Sequence, residues 1–350
     1  MSRFLQLHLL TFYPPANLNR DDAGRPKSAV VGGVPRLRIS SQSLKRAWRT
    51  SDVFAQALEG HLAKRTQRLG EEVVKHLLGR GVAADKALKI ARDIAQSFGA
   101  LKKENDPNPA RIEQLTFISP QETAHALETA ERMAAGAAAP APADLLRRTD
   151  AAADLAMFGR MLAATPDFSR EAAVQVAHAI TTHKAVVEDD YYVAVDDLNT
   201  REENAGAGFI GEQGFGSGIF YLYLCVDVRL LIRNLGGDAA LAAAALAALA
   251  EAAATVAPGG KQASFASRAR AHFLLAERGD AQPRTLAGAF LKAAQGEDPI
   301  RASIDKLEGW RADLDRAYGP GAEECACLDV PGGRGSLAEI VGFCRKAAGS

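Results

Sequence analysis

"RISSQSLKRAWR", residues 38–49, runs from the end of a strand through a polar turn into a helix, and the rest of the chain can be read outward from it. Ser40 or Ser41 is placed to cap the helix, since a short hydroxyl side chain accepts from the free N–H groups of a first turn. Leu44, Ala47 and Trp48 follow at i, i+3 and i+4, an apolar stripe suited to packing on a sheet. Lys45 and Arg49 lie four apart with Arg46 beside them, so a cationic face adjoins a helix N-terminus. That end offers unpaired backbone N–H groups and the positive pole of the helix dipole. Ser40, Ser41 and Gln42 add neutral donors, and the whole makes a phosphate site with no catalytic group in it. From these residues alone, an ordinary capped and solvated helix reads equally well.

Charge shifts that balance. The 350-residue chain has a net charge of zero, yet residues 1–51 carry nine Lys or Arg against two acids, +7, which leaves −7 for the remainder. A basic concentration in a neutral chain points to a polyanion, or to acidic surface on a neighbouring copy. Upstream, "LNRDD" (18–22) adds Arg20 as a further phosphate clamp. Asp21 and Asp22 in the same loop fit two readings, a metal site for RNA cleavage or turn and capping residues. Adjacent carboxylates alone do not define a metal site, so the structural reading is preferred.

Composition excludes several classes. With 47% apolar and 24% charged residues the chain reads as a soluble globular protein. The longest apolar run, 241–257, is alanine-rich, interrupted by Glu251 and without basic flanks, so it reads as a soluble helix and not a membrane span. The N-terminus lacks the pattern of a signal peptide, and a cytoplasmic location is expected. Four cysteines read as small buried hydrophobes, not a disulfide framework or metal site, and no cofactor is expected.

Along the chain, residues 3–12 alternate as a strand, 13–35 are loop-like, and 36–39 are extended. Helices are expected at 53–65, 70–79, 84–99 and 120–136, with a short extended piece at 115–119. Residues 154–162 and 172–183 read as extended. Residues 217–228 make the strongest strand. A helix at 238–257, an extended piece at 270–277, helices at 284–295 and 299–317, a strand at 325–330 and a helix at 335–348 follow. Strands and helices mix without βαβα alternation, so the class is α+β.

The motifs "LNRDD" (18–22), "RISSQSLKRA" (38–47), "GRM" (159–161), "AHAITTH" (177–183), "AVDDL" (194–198) and "SGIFYLY" (217–223) occur in an order that resembles the CasC family, the backbone subunits of the type I-E CRISPR complex Cascade. The resemblance covers the first 50 residues and about 154–225 well, and the rest only in general character. It implies an RNA-recognition-motif-like (ferredoxin-like) palm, a helical fingers insertion and a β-hairpin thumb. The sequence accommodates palm at 1–51 and 151–183, fingers at 52–150, thumb at 184–216 and the remaining palm at 217–350.

The resemblance also implies a role. Copies stack head to tail along one CRISPR RNA, bind it without sequence preference and leave its bases to pair with target DNA. The partners implied are CasA, CasB, CasD, CasE and a recruited nuclease-helicase, and the subunit itself is no enzyme. Arg20, Ser40, Ser41, Gln42, Lys45 and Arg46 match positions that hold the RNA backbone; Arg49 is added from helix geometry. Arg160 and Met161 fall where the palm approaches RNA. In the thumb, Tyr192, Val193, Val195, Phe209 and Ile210 are the apolar candidates for displacing a base, with plain hairpin packing equally open. The thumb's many acids fit docking on a basic palm, or a tip that meets bases through apolar groups. A second reading makes this a metal-dependent RNA-cleaving backbone subunit of the type III kind, through Asp21 and Asp22. His178 is expected to be packed, His183 to lie on a polar face, and residues 257–270 to form a flexible basic loop.

Overall fold

The computed structural model describes residues 2–194 and 209–349, with the backbone alone at 209 and 210. In chain order the elements are β1 (Phe4–Ala16), β2 (Ser28–Val31), β3 (Val34–Ile39), α1 (Ser41–Arg49), α2 (Asp52–Ala57), β4 (Lys64–Thr66), α3 (Leu69–Gly79) and α4 (Ala84–Ala95). Then come β5 (Thr116–Ile118), α5 (Pro120–Ala134), α6 (Pro142–Leu145), α7 (Ala153–Phe158), β6 (Val174–Val176), β7 (Ala179–Thr181), β8 (Glu188–Ala194) and β9 (Phe209–Asp227). The last are α8 (Val228–Asn234), α9 (Ala239–Thr255), α10 (Gln262–Phe265), β10 (Phe273–Gly279), α11 (Pro299–Tyr318), β11 (Glu324–Asp329) and α12 (Leu337–Lys346).

The main sheet runs β11-β10-β1-β9-β7-β3-β2, and its strand pairs are antiparallel. β9 organises it. Its Gly216–Asp227 stretch pairs with β1 on one side and with β6 and β7 on the other. Its first residues continue past the sheet as a hairpin with β8, in which Glu188 faces Phe215 and Ala194 faces Phe209.

One face of the sheet, with Leu5, Leu7 and Leu9 of β1, packs on Leu44 and Trp48 of α1, on α9 and on Ile340 and Cys344 of α12. α9 is apolar on nearly every side, and it is buried accordingly. The other face, with Leu10, Tyr221 and Phe273, is covered by Ile304 and Leu307 of α11 and by the 3₁₀ turn Ala287–Phe290. Gln6 and His8 therefore point inward. His8 Nδ1 lies 2.9 Å from the Tyr221 hydroxyl and Nε2 3.3 Å from Glu277, whose carboxylate also meets Arg311 at 2.7 Å and Arg284 at 3.1 Å. Burial pushes Glu277 upward, but His8, Arg284 and Arg311 outweigh it and hold the carboxyl at about 2. Burial lowers His8 below its usual range, against the opposing pull of Glu277.

Residues between α2 and α7 have a core of their own, in which Val73, Ile90, Ile94, Phe98 and Ala126 meet. Ser119 and Glu122 close a capping box on α5. β4 and β5 form a separate two-stranded ribbon.

Several expectations give way. Residues 154–162 open as helix α7, whose Asn234 bond to the Ala156 carbonyl fixes it against α8. The helix expected at 53–65 ends at Ala57, because the chain turns back at Gly60 with φ of +77° toward β4. The one expected at 284–295 shrinks to the single 3₁₀ turn. The loop at 13–35 hides β2, paired with β3. Residues 257–270 contain α10 and are seated, with Phe265 against Phe215 at 6.0 Å and Ser267 buried. Among the described residues no helix is long and apolar enough to cross a membrane.

Candidate nucleic-acid interface

Ser40 is the residue that caps α1, accepting from Ser43 N at 3.4 Å, and its own N–H donates to Asn19 Oδ1 at 2.9 Å. The Asn19 bond ties the α1 end to the loop that carries Arg20. Ser40 and Ser41 are buried, Gln42 and Arg46 are exposed one turn apart, and Lys45 is half-buried. Burial lowers the Lys45 ammonium below its usual range. The face turned outward thus consists of Gln42, Lys45 and Arg46, with the serines shaping the turn beneath.

Arg49 has a different task. It reaches Asp154 at 2.7 Å, and its guanidinium lies 4.6 Å from the centre of the Phe117 ring. Asp154 also accepts from Ala63 N, so this group joins α1 to the helical insertion. Helix spacing groups Arg49 with Lys45, but the partner in α7 turns it inward.

Arg160 departs furthest from expectation. It makes a bidentate pair with Glu122 at 2.6 and 2.8 Å, and a further bond to the Phe117 carbonyl, with both side chains fully buried. A buried guanidinium needs such a partner. Beside it Arg170 pairs with Asp150 at 2.7 Å. Met161, the next residue, is 87% exposed over an open cleft shared with Leu115, Phe117, Phe158 and Arg65. The motif therefore divides, its arginine bracing the cleft floor and its methionine facing the opening.

Arg20 is exposed at the rim of a second cleft, which Arg25, Lys261, Tyr192 and Gly214 also line. Asn17 holds the rim together by donating to the Gly24 and Gly214 carbonyls at 3.0 and 2.9 Å, and Arg25 pairs with Asp189 at 2.9 Å. Asp21 closes this loop by accepting from Arg25 N at 2.9 Å. Among the described residues no three His, Cys, Asp or Glu side chains gather as a metal site.

Sequence reasoning missed a cluster at β3 and β7. Arg38 Nη1 lies 2.7 Å from His178 Nδ1, and Arg38 N donates to the Lys27 carbonyl. His178 is exposed, not packed, and desolvation together with Arg38 and Lys27 lowers it. The signal was the period-two pair Arg36 and Arg38. Arg36 is spent inside on the Thr181 and Phe290 carbonyls, while Arg38 emerges at the surface. His183 accepts from Ile219 N at 3.1 Å.

In the hairpin Tyr192 and Val193 are exposed, and the Tyr192 ring lies on Gly211, where a Cβ would come within 2.5 Å of it. Val193 faces Ile210, and Phe209 faces Ala194, in backbone register. Val195 lies outside the described residues.

The family profile Cas_CT1975, described as CT1975-like protein, matches residues 5–336. The chain belongs to the CT1975-like family. Two solved structures resemble this family member over nearly its whole length. A chain of a "CRISPR RNA-guided surveillance complex, pre-nicking" has a TM-score of 0.86 and 29% identity, covering 98% of this chain and 100% of that one. A chain of a "CRISPR RNA-guided surveillance complex" has a TM-score of 0.64 and 25% identity, covering 99% of each. No curated protein matches the chain significantly. The mixed α+β fold with its antiparallel sheet is therefore that of subunits of such complexes.

Proposed function

We propose that this CT1975-like protein is a backbone subunit of a type I-E Cascade, binding CRISPR RNA through its phosphates and lining up head to tail along it. The observation that carries the reading is the outward face of α1, where Gln42, Lys45 and Arg46 line a capped helix whose start is tied to the loop of Arg20 and Lys27 and follows Arg38. These groups recognise phosphate and carry no base-reading geometry, which is what one protein needs to serve any guide. The family, and the surveillance complexes to which the two similar chains belong, support the same reading.

In this reading the β10-β1-β9-β7 order, with α1 and α9 on one face, is an RNA-recognition-motif-like palm. Residues 52–150 are fingers and 184–216 the thumb. Met161, with Tyr192, Val193 and the hairpin positions facing them, meets bases without selecting them. CasA, CasB, CasD, CasE and a nuclease-helicase complete the assembly, in the cytoplasm, and target DNA pairs with the guide. The subunit is non-catalytic, and Asp21 serves the turn it closes.

The test is charge reversal. Lys45→Glu with Arg46→Glu should weaken binding about equally for RNAs of unrelated sequence and lower the salt slope by roughly 0.7 per lost contact or more. Weakening that depends on base identity would contradict the phosphate reading.

A further inference from the structure

The face of the sheet opposite α1 carries a feature that the guide-binding reading leaves unused. Between the β2–β3 turn, the 3₁₀ turn Ala287–Phe290 and α11 lies an open groove of about 660 Å³. Trp310 forms its wall and is 37% exposed; Leu291 beside it is 63% exposed. The indole is held in place, because its inner edge rests on Gly288, where a Cβ would stand 2.8 Å from the ring. Gly32, at φ of +59°, lets the hairpin turn lie directly on the Leu291 carbonyl and closes the other end.

Charge in the groove is positive on balance, two lysines against one carboxylate. Lys292 and Lys306 line it, and among the described residues neither has an ion-pair partner within 4.0 Å. The carboxylate in the lining, Asp313, is engaged by Arg316 at 2.8 Å. A fixed aromatic ring flanked by two uncommitted ammonium groups is the combination that takes an unpaired base and its phosphates. Size argues against a protein partner. A stable protein interface needs about 800 Å² from each side, far more than two exposed apolar side chains supply, whereas one base needs one ring.

We propose that the Trp310 groove is a second nucleic-acid site, on the far side of the sheet from α1, that holds single-stranded nucleic acid by stacking a base on Trp310 between Lys292 and Lys306. It takes DNA or RNA without base preference, so the strand can be one displaced from a target duplex or a free transcript.

Intrinsic fluorescence reads this site directly. The chain has two tryptophans, and Trp48 is fully buried, so an emission change on adding a strand reports Trp310. Guide-loaded protein is titrated with oligo-dT, oligo-rU and a target duplex whose displaced strand is left free. Saturable quenching is expected, from the oligonucleotides if free strands bind and from the duplex if the displaced strand does. Trp310→Phe should keep most of the affinity and Trp310→Ala lose about ten-fold. Lys292→Gln with Lys306→Gln should lower the salt slope by roughly 1.4. Guide affinity, set by α1, should stay unchanged in all three, which separates failure here from failure of the α1 reading. Unchanged emission at saturating strand overturns the proposal. So does quenching that appears when copies assemble on guide alone and does not respond to an added strand, which would mean that a second copy covers the ring.

Discussion

Arg46, Arg49 and Arg160 have the same side chain and three different fates. Arg46 faces solvent, Arg49 bridges to Asp154, and Arg160 is locked to Glu122. Sequence distance hides the difference, since Glu122 lies 38 residues from Arg160 and Asp154 lies 105 from Arg49. The cap, by contrast, was legible, because Ser40 and its helix are local to one turn. Arg160→Leu should cost about 3–5 kcal/mol in denaturant unfolding by leaving Glu122 buried and unpaired. A loss of RNA affinity without any loss of stability would show that the residue faces ligand after all. His178 makes a pH prediction. Desolvation, Arg38 and Lys27 depress it, and a phosphate docked there would restore the charged form. RNA affinity should therefore rise as pH falls below about 6.5, and His178→Ala should flatten that rise. Equal pH slopes for both proteins would remove His178 from the interface.

Elements with a strong local composition were legible from sequence, and those defined by distant partners were not. β9 and α9 show their character in composition alone, one as a run of β-branched and aromatic residues, the other as alanine and leucine. α7 was misread because, after Asp154, "LAMF" is an apolar run with no clear period, so only its packing on α8 and α9 decides for helix. β1 alternates apolar with polar residues in the sequence, yet its polar side chains Gln6 and His8 are buried because α11 closes the second face. That closure gives stability a pH dependence with two limbs. His8 is depressed in the fold, so native stability falls once pH drops below the ordinary 6.5 and the unfolded chain takes up the proton. Glu277 is depressed too, so its contribution is intact above 4.5 and is lost as pH falls from there toward about 2. Denaturant midpoints measured from pH 7.5 to 3 should show both limbs, and His8→Gln should remove the upper one and reduce the lower, because His8 helps to hold Glu277 down. A variant that keeps the upper limb would place its origin elsewhere.

At the scale of the molecule, a net charge of zero conceals a basic first segment and an acidic remainder. The fold gathers part of that basic segment, Arg20, Lys27 and Arg38 before α1 and Lys45 and Arg46 along it, into one region. It sends the acids of β8 out on a hairpin that is exposed along its length. In the proposed reading these separated surfaces meet head to tail, and where such heterologous contacts do not close into a ring they build an open row whose length must be set from outside. An RNA template is the length-setter in the present account. The most direct measurement is a titration of the purified protein against single-stranded RNAs of increasing length, with magnesium present, read for stoichiometry by native mass spectrometry and for RNA integrity by gel. If this chain is a scaffold on its guide, copies should add in regular steps with length, affinity should fall steeply with salt, and the RNA should stay whole. One copy per RNA at every length, or magnesium-dependent cuts that vanish in Asp21→Ala with Asp22→Ala, would contradict the scaffold reading.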